Sequence, residues 1–227
     1  MELEGVHAAF GEVAAGAGEG AAVAVSVDGE LVVDEWGGSV DPAGRRGWKR
    51  DTLVQVFSVT KPLAATALLL LVDRGFVELD APARRYWPEL IAGATVRQLL
   101  AHQAGLPVFD TDVTPEILLD PDAAARLLAA QAPRWEPGTA HGEHALTYGY
   151  LVGEIVRRVD GRRLGRFFAE EIAGPHGLDL AIGLNPAQQA RCADLRALPA
   201  SGASPPGPDP ASPASPARRD PHPDPDL

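Results

Sequence analysis

Lysine is nearly absent from this 227-residue chain: of 20 basic residues only Lys49 and Lys61 are lysines, so where a lysine falls carries information. Cysteine is scarcer still. A single Cys192 excludes an internal disulfide framework and any multi-cysteine zinc site. Positive charge is in deficit, with a formal net charge of -11. That balance argues against nucleic acid or anionic membrane as partner, both of which require a basic surface, and leaves small neutral or cationic substrates open. Long apolar runs are missing as well. The longest, Leu63 to Val72 with Thr66 inside it, is far short of the roughly 20 residues that cross a bilayer and reads as a buried helix. The opening Met1-Glu2-Leu3-Glu4 is acidic where a secretory signal is basic, and no small-residue cleavage site follows an apolar core, which places the protein in the cytoplasm.

What is present is enough for a folded domain: 45% of the residues are apolar. Leu3, Val6, Phe10 and Val13 recur at helical spacing before Gly16, Gly18 and Gly20, predicting a first helix with a stop. Ala21 to Val27 and Leu31 to Trp36 are β-prone runs joined through Asp28-Gly29, the dipeptide suited to the positive φ angles of a tight hairpin. Leu53 to Phe57 leads into Ser58 and a helix ending near Gly75. Thr95-Val96-Arg97-Gln98 has the form of a capping box, and Thr114-Pro115 and Asp120-Pro121 each set a cap before a proline at the first helical position. Leu146 to Val159, stopped by Asp160-Gly161, and Leu164 to Ile172 are further helical segments. The expected organisation is a domain over residues 1–190 and a disordered Pro/Ser/Ala-rich tail over 195–227, which holds about half of the prolines and almost no large apolar residue. A natural linker has this composition, and so does GC-rich DNA read out of frame.

Ser58-Val59-Thr60-Lys61 puts a hydroxyl and an amine three residues apart, on one face of a helix. A serine is a weak nucleophile until an adjacent base takes its proton, and a lysine desolvated among apolar neighbours can serve. The helix N-terminus adds unpaired backbone N–H groups and a positive dipole end for a developing oxyanion. The bland alternative is a capping serine and an exposed first-turn lysine. Elsewhere the signals are weak. His141-Gly142-Glu143-His144 matches neither spacing of paired histidines around a glutamate used for metal, and Gly16-x-Gly18-x-Gly20 precedes a strand instead of following one, so it fails as a dinucleotide loop. No metal and no cofactor are expected. His102 reads as a structural residue positioning the loop at Gly105.

Taken together, the runs Thr52 to Lys61, Leu71-Val72-Asp73-Arg74-Gly75, Leu99 to Pro107, Trp135 to Thr139 and His144 to Gly153 resemble, in order, the class C β-lactamase-like serine hydrolases, and most of all the branch holding the family VIII carboxylesterases. The resemblance covers about residues 20 to 185. It implies an α+β fold of the β-lactamase/penicillin-binding-protein type, with an antiparallel sheet flanked by helices, a helical region, and three catalytic boxes. Ser58-x-x-Lys61 is the first box. The second normally supplies a tyrosine, and that position falls on Glu143. A registration shifted by one residue would place His144 there, and Tyr148 is the nearest phenol, inside the following helix. A carboxylate differs from a phenol here because it is an anion at neutral pH and stabilises an ammonium beside it. The third box, Lys/His-x-Gly on a late strand, has no match in the tail, so the fold is expected to be incomplete, its late strands missing. Two functions follow: a serine hydrolase acting on a small-molecule ester or amide, or a truncated, catalytically impaired remnant with at most a binding role.

Overall fold

The computed structural model describes residues 4–15 and 20–195. The expected tail beyond Leu195, and Leu3, Gly16 and Gly18 of the first helix and its stop, lie outside the described residues. The described residues fall into two compact units, one built from residues 4–56 together with 184–195 and the other from 57–183.

In the first unit, helix α1 (Glu4–Ala15) lies against a hairpin of β1 (Ala21–Val27) and β2 (Glu30–Gly37). Asp28 and Gly29 take φ of 52° and 84°, the pair of positive angles that a two-residue turn needs for the strand twist to match. The pairing is antiparallel, from Ala21 opposite Gly37 to Val27 opposite Glu30, with a shift between Val25 and Ser26 that leaves Val32 as the extra residue of a bulge. Among the described residues this sheet has two strands. Helix α8 (Pro186–Arg191) belongs to the same unit. It starts on a capping box in which Asn185 accepts from Gln188 N–H at 2.9 Å and Gln188 accepts from Asn185 N–H at 3.0 Å. The sequence reading passed over this helix. Just beyond it, Leu53 and Cys192 form a parallel bridge, and the Arg191 guanidinium donates to the Asp51 carbonyl.

The second unit is helical. Helix α2 (Thr60–Asp73) ends on Gly75, φ 75°, where Gly75 N–H bonds the Val72 carbonyl and Phe76 N–H bonds the Leu71 carbonyl, the paired bonds of a Schellman stop. Helix α3 (Val96–Leu100) begins on the expected box: Thr95 Oγ1 accepts Gln98 N–H at 3.2 Å and Gln98 Oε1 accepts Thr95 N–H at 2.8 Å. Helix α4 (Pro115–Leu119) has its proline in place, but Thr114 makes no side-chain bond to it. Asp120 does cap helix α5 (Pro121–Ala130), accepting from Asp122 and Ala123. Helix α6 (Thr147–Asp160) closes on Gly161 at φ 91°. Helix α7 (Leu164–Phe168) runs into a π-turn over Ala169–Ala173, where Gly174 N–H reaches back five residues to Ala169.

Helix α6 is the axis of the core. Its Tyr148, Leu151, Val152, Ile155 and Val156 recur at helical spacing, are all buried, and pack with Leu68 and Leu71 of α2, Leu99 of α3, Leu128 of α5 and Phe167 of α7. Each such side chain contributes about 1.5–3 kcal/mol relative to exposure. Among the described residues no helix is long and apolar enough to cross a membrane.

Candidate active site

The chain turns sharply immediately before the serine. Phe57 sits at φ 45°, a left-handed conformation that a residue with a bulky side chain rarely adopts, and Phe57–Val59 forms a short 3-10 turn that continues into α2. Ser58 is therefore presented on this turn, not as the side-chain cap of α2, whose cap position is Val59. Lys61, one turn on, reaches back so that its Nζ lies 2.9 Å from Ser58 Oγ. The lysine side chain is 18% exposed, and Glu143 Oε1 stands 3.9 Å from the same Nζ. Three residues from two segments 82 positions apart in sequence thus meet at one point, Ser58 and Lys61 from α2's approach and Glu143 from the loop before α6.

That loop is held by two histidines. His102, itself at φ 60°, accepts the His144 backbone N–H on Nδ1 at 3.0 Å, and its carbonyl accepts Gly142 N–H. His144 is fully buried; its Nε2 accepts the Leu106 N–H at 3.1 Å while Nδ1 bonds the Gly142 carbonyl at 2.7 Å. These bonds require a neutral imidazole protonated on Nδ1. Burial agrees, pushing the His144 pKa down to about 4. Burial also lowers the pKa of His102, so both rings remain acceptors. The expected link between His102 and the Gly105 loop therefore runs through His144, which makes the bond to Leu106. Both ring nitrogens of His144 are thus engaged by backbone groups.

Tyr148, in the first turn of α6, is buried and stacks on the His102 ring with centroids 4.7 Å apart. Burial raises its pKa, which holds the phenol protonated. At salt-bridge distance from Lys61 the structure places Glu143. His141 and Glu143 are exposed while His144 points inward, and among the described residues no group of three or more His, Cys, Asp or Glu side chains could hold a metal ion.

Ser58 and Lys61 line a cavity of about 800 Å³. Its walls run from Ala64 of α2 along Leu146, just before α6, and Gly149 and Gly153 of α6 to Leu164 and Ile182. At the other end Glu154 is buried and clasped by Arg157 at 2.7 and 2.8 Å and Arg158 at 2.6 Å. Burial alone would raise the Glu154 pKa, but the two guanidiniums outweigh it and hold the carboxyl below its usual range. Neither this cavity nor the histidine relay was visible in the sequence reading.

Comparison with known proteins gives a consistent picture. The family described as Beta-lactamase matches residues 7–222. Esterase/beta-lactamase LipL of Mycobacterium tuberculosis is 40% identical over 173 residues, covering 74% of this chain and 40% of that protein. A crystal structure of a family VIII carboxylesterase superposes with a TM-score of 0.78 at 40% identity, covering 86% of this chain and 54% of that one. A penicillin-binding protein homolog from Caulobacter crescentus gives 0.79 at 44% identity, with coverage of 86% and 54%. The fold is of the β-lactamase/penicillin-binding-protein type, and the chain spans about half the length of these relatives.

Proposed function

The chain belongs to the beta-lactamase family, and on that footing we propose that it is a serine hydrolase of acyl esters, with Ser58 as nucleophile and Lys61 as its base. The observation that carries the reading is the 2.9 Å separation of Lys61 Nζ and Ser58 Oγ at the mouth of the cavity. Lys61, acting as the base, takes the Ser58 proton as Oγ bonds to the ester carbonyl carbon. The carbon–alkoxide bond then breaks, and the proton passes to the departing alkoxide, which leaves as an alcohol. Water adds to the acyl-serine, its proton returns Oγ to the hydroxyl form, and the carboxylic acid departs. The relatives whose names include esterase support an ester as a substrate class.

A second reading is a chain that binds such molecules without turning them over. The observation favouring it is the carboxylate of Glu143, 3.9 Å from the nitrogen of Lys61, where a negative charge favours the protonated lysine that cannot act as base. The two readings part on one experiment. Under hydrolysis, a fluorophosphonate probe labels the full chain at Ser58, the label is lost in Ser58→Ala, and it is at least tenfold slower in Lys61→Ala. A folded chain that takes no label and releases no p-nitrophenol from p-nitrophenyl butyrate would overturn the hydrolytic reading.

A further inference from the structure

Helix α6 carries glycine at Gly149, in its first turn, and at Gly153, in its interior, four residues apart and both lining the cavity. Glycine inside a helix costs about 1 kcal/mol relative to alanine. Neither position demands it. Both lie outside the left-handed region; a Cβ on Gly149 would meet nothing within 4 Å, and one on Gly153 would make ordinary contact with Leu164 at 3.6 Å. What the two glycines provide is open space along the wall of the cavity.

The direction of that space is set by the helix. Lys61 and Glu143 meet beside its N-terminus, so Ser58 stands at that end. From Gly149 to Arg157, another lining residue, the helix rises about 12 Å. The apolar side chains lining the cavity include Ala64, Leu146, Leu164 and Ile182, with Tyr150 and the arginine-paired Glu154 also contributed by α6. At the far end the arginines are already engaged by carboxylates: Arg157 by Glu154, Arg163 by Asp122 and Arg166 by Glu170. The charge there is balanced within the protein.

We infer that this cavity is an acyl-chain channel whose depth is set by Gly149 and Gly153, and that the ester handled at Ser58 carries an extended, uncharged, apolar acyl chain; the inference rests on Ser58 being the acylated serine. A chain threading along α6 from Ser58 buries its methylenes against the apolar wall, and the glycines leave it room to do so.

The test compares kcat/KM of the full chain for p-nitrophenyl acetate, butyrate and octanoate, and for the mono-p-nitrophenyl ester of octanedioic acid. The parent prefers octanoate to acetate by about tenfold or more. Gly149→Leu, which projects into open space, reverses that order, lowering the octanoate-to-acetate ratio by about a hundredfold. Gly149→Ala, a substitution that a helix favours, shifts the preference in the same direction by less. Equal values for acetate and octanoate in the parent, a proportional loss on all esters in both variants, or faster turnover of the octanedioate ester than of octanoate would each overturn the channel. If Ser58 takes no fluorophosphonate label, the hydrolytic reading fails by itself, and calorimetry with octanoate on Ser58→Ala decides the channel separately. Octanoate binding that disappears when Gly149→Leu is added sustains it, and no octanoate binding ends it.

Discussion

Glu143 holds its carboxylate 3.9 Å from the side-chain nitrogen of Lys61, across a gap that the loop before α6 and the start of α2 bring together. The glutamate side chain is 54% exposed, so solvent weakens the pair, yet the geometry is that of an ion pair at the one lysine that contacts Ser58.

The first prediction concerns that pair. A phenol at this position can relay a proton between lysine and the leaving group, whereas an ionised carboxylate stabilises the ammonium form that cannot act as base. Glu143→Tyr is expected to raise p-nitrophenyl ester hydrolysis or probe labelling by about tenfold or more, and Glu143→Gln to do no harm. Abolition of a clear parental activity by Glu143→Gln would instead make Glu143 the base, acting through water.

The histidine relay predicts a pH dependence of stability. His144 has a folded pKa of about 4 against an ordinary 6.5, so between these values the unfolded chain binds the extra proton. Its contribution is complete above pH 6.5, declines as pH falls toward 4, and loses nothing further below. The span is about 3 kcal/mol. Urea unfolding at pH 7, 5.5 and 4 measures it, and His144→Asn should be less stable at pH 7 with a flatter profile across this window.

Gly105 should tolerate no side chain. It sits at φ 75°, and a Cβ there would lie 2.6 Å from the Trp135 carbonyl oxygen and 2.7 Å from Pro133 Cβ. Gly105→Ala is expected to cost about 2 kcal/mol or more, read as a lowered urea midpoint, since both the backbone and two neighbours must shift.

The capping box of α3 is a milder case. Thr95→Ala removes the acceptor for Gln98 N–H and should cost about 1 kcal/mol. Gln98→Ala should cost more, because the same amide also donates to the Pro137 carbonyl at 3.3 Å and so ties two loops together. A double-mutant cycle on the two residues should show non-additivity, since they share the box.

The features legible in the sequence were those whose causes are local. Asp28-Gly29 fixes its own turn, Thr95 and Gln98 cap each other over three residues, and Gly75 and Phe76 end α2 with bonds to Val72 and Leu71. A local signal also misled where the environment competes: Thr114 has the composition of a cap but gives its side chain no bond to α4. The helix at Pro186–Arg191 carried the same signature as α3, in Asn185, Pro186 and Gln188, and could have been read. The histidine relay could not, because His102 and His144 stand 42 residues apart and their roles exist only once the loops meet. The open cavity was hidden for a related reason: a glycine in a helical pattern looks the same whether it faces a neighbour or a void.

The anchoring of the loop before α6 bears on how this site can change over generations. Residues 142 and 144 are gripped by His102, and 144 in turn grips Leu106, so the backbone of residue 143 is positioned by its neighbours. The Glu143 side chain has no part in that grip and projects toward Lys61. Exchange at this codon is therefore uncoupled from the folding of the domain. A substitution at position 143 is expected to change what Lys61 faces while the His102 and His144 contacts hold the loop backbone in place.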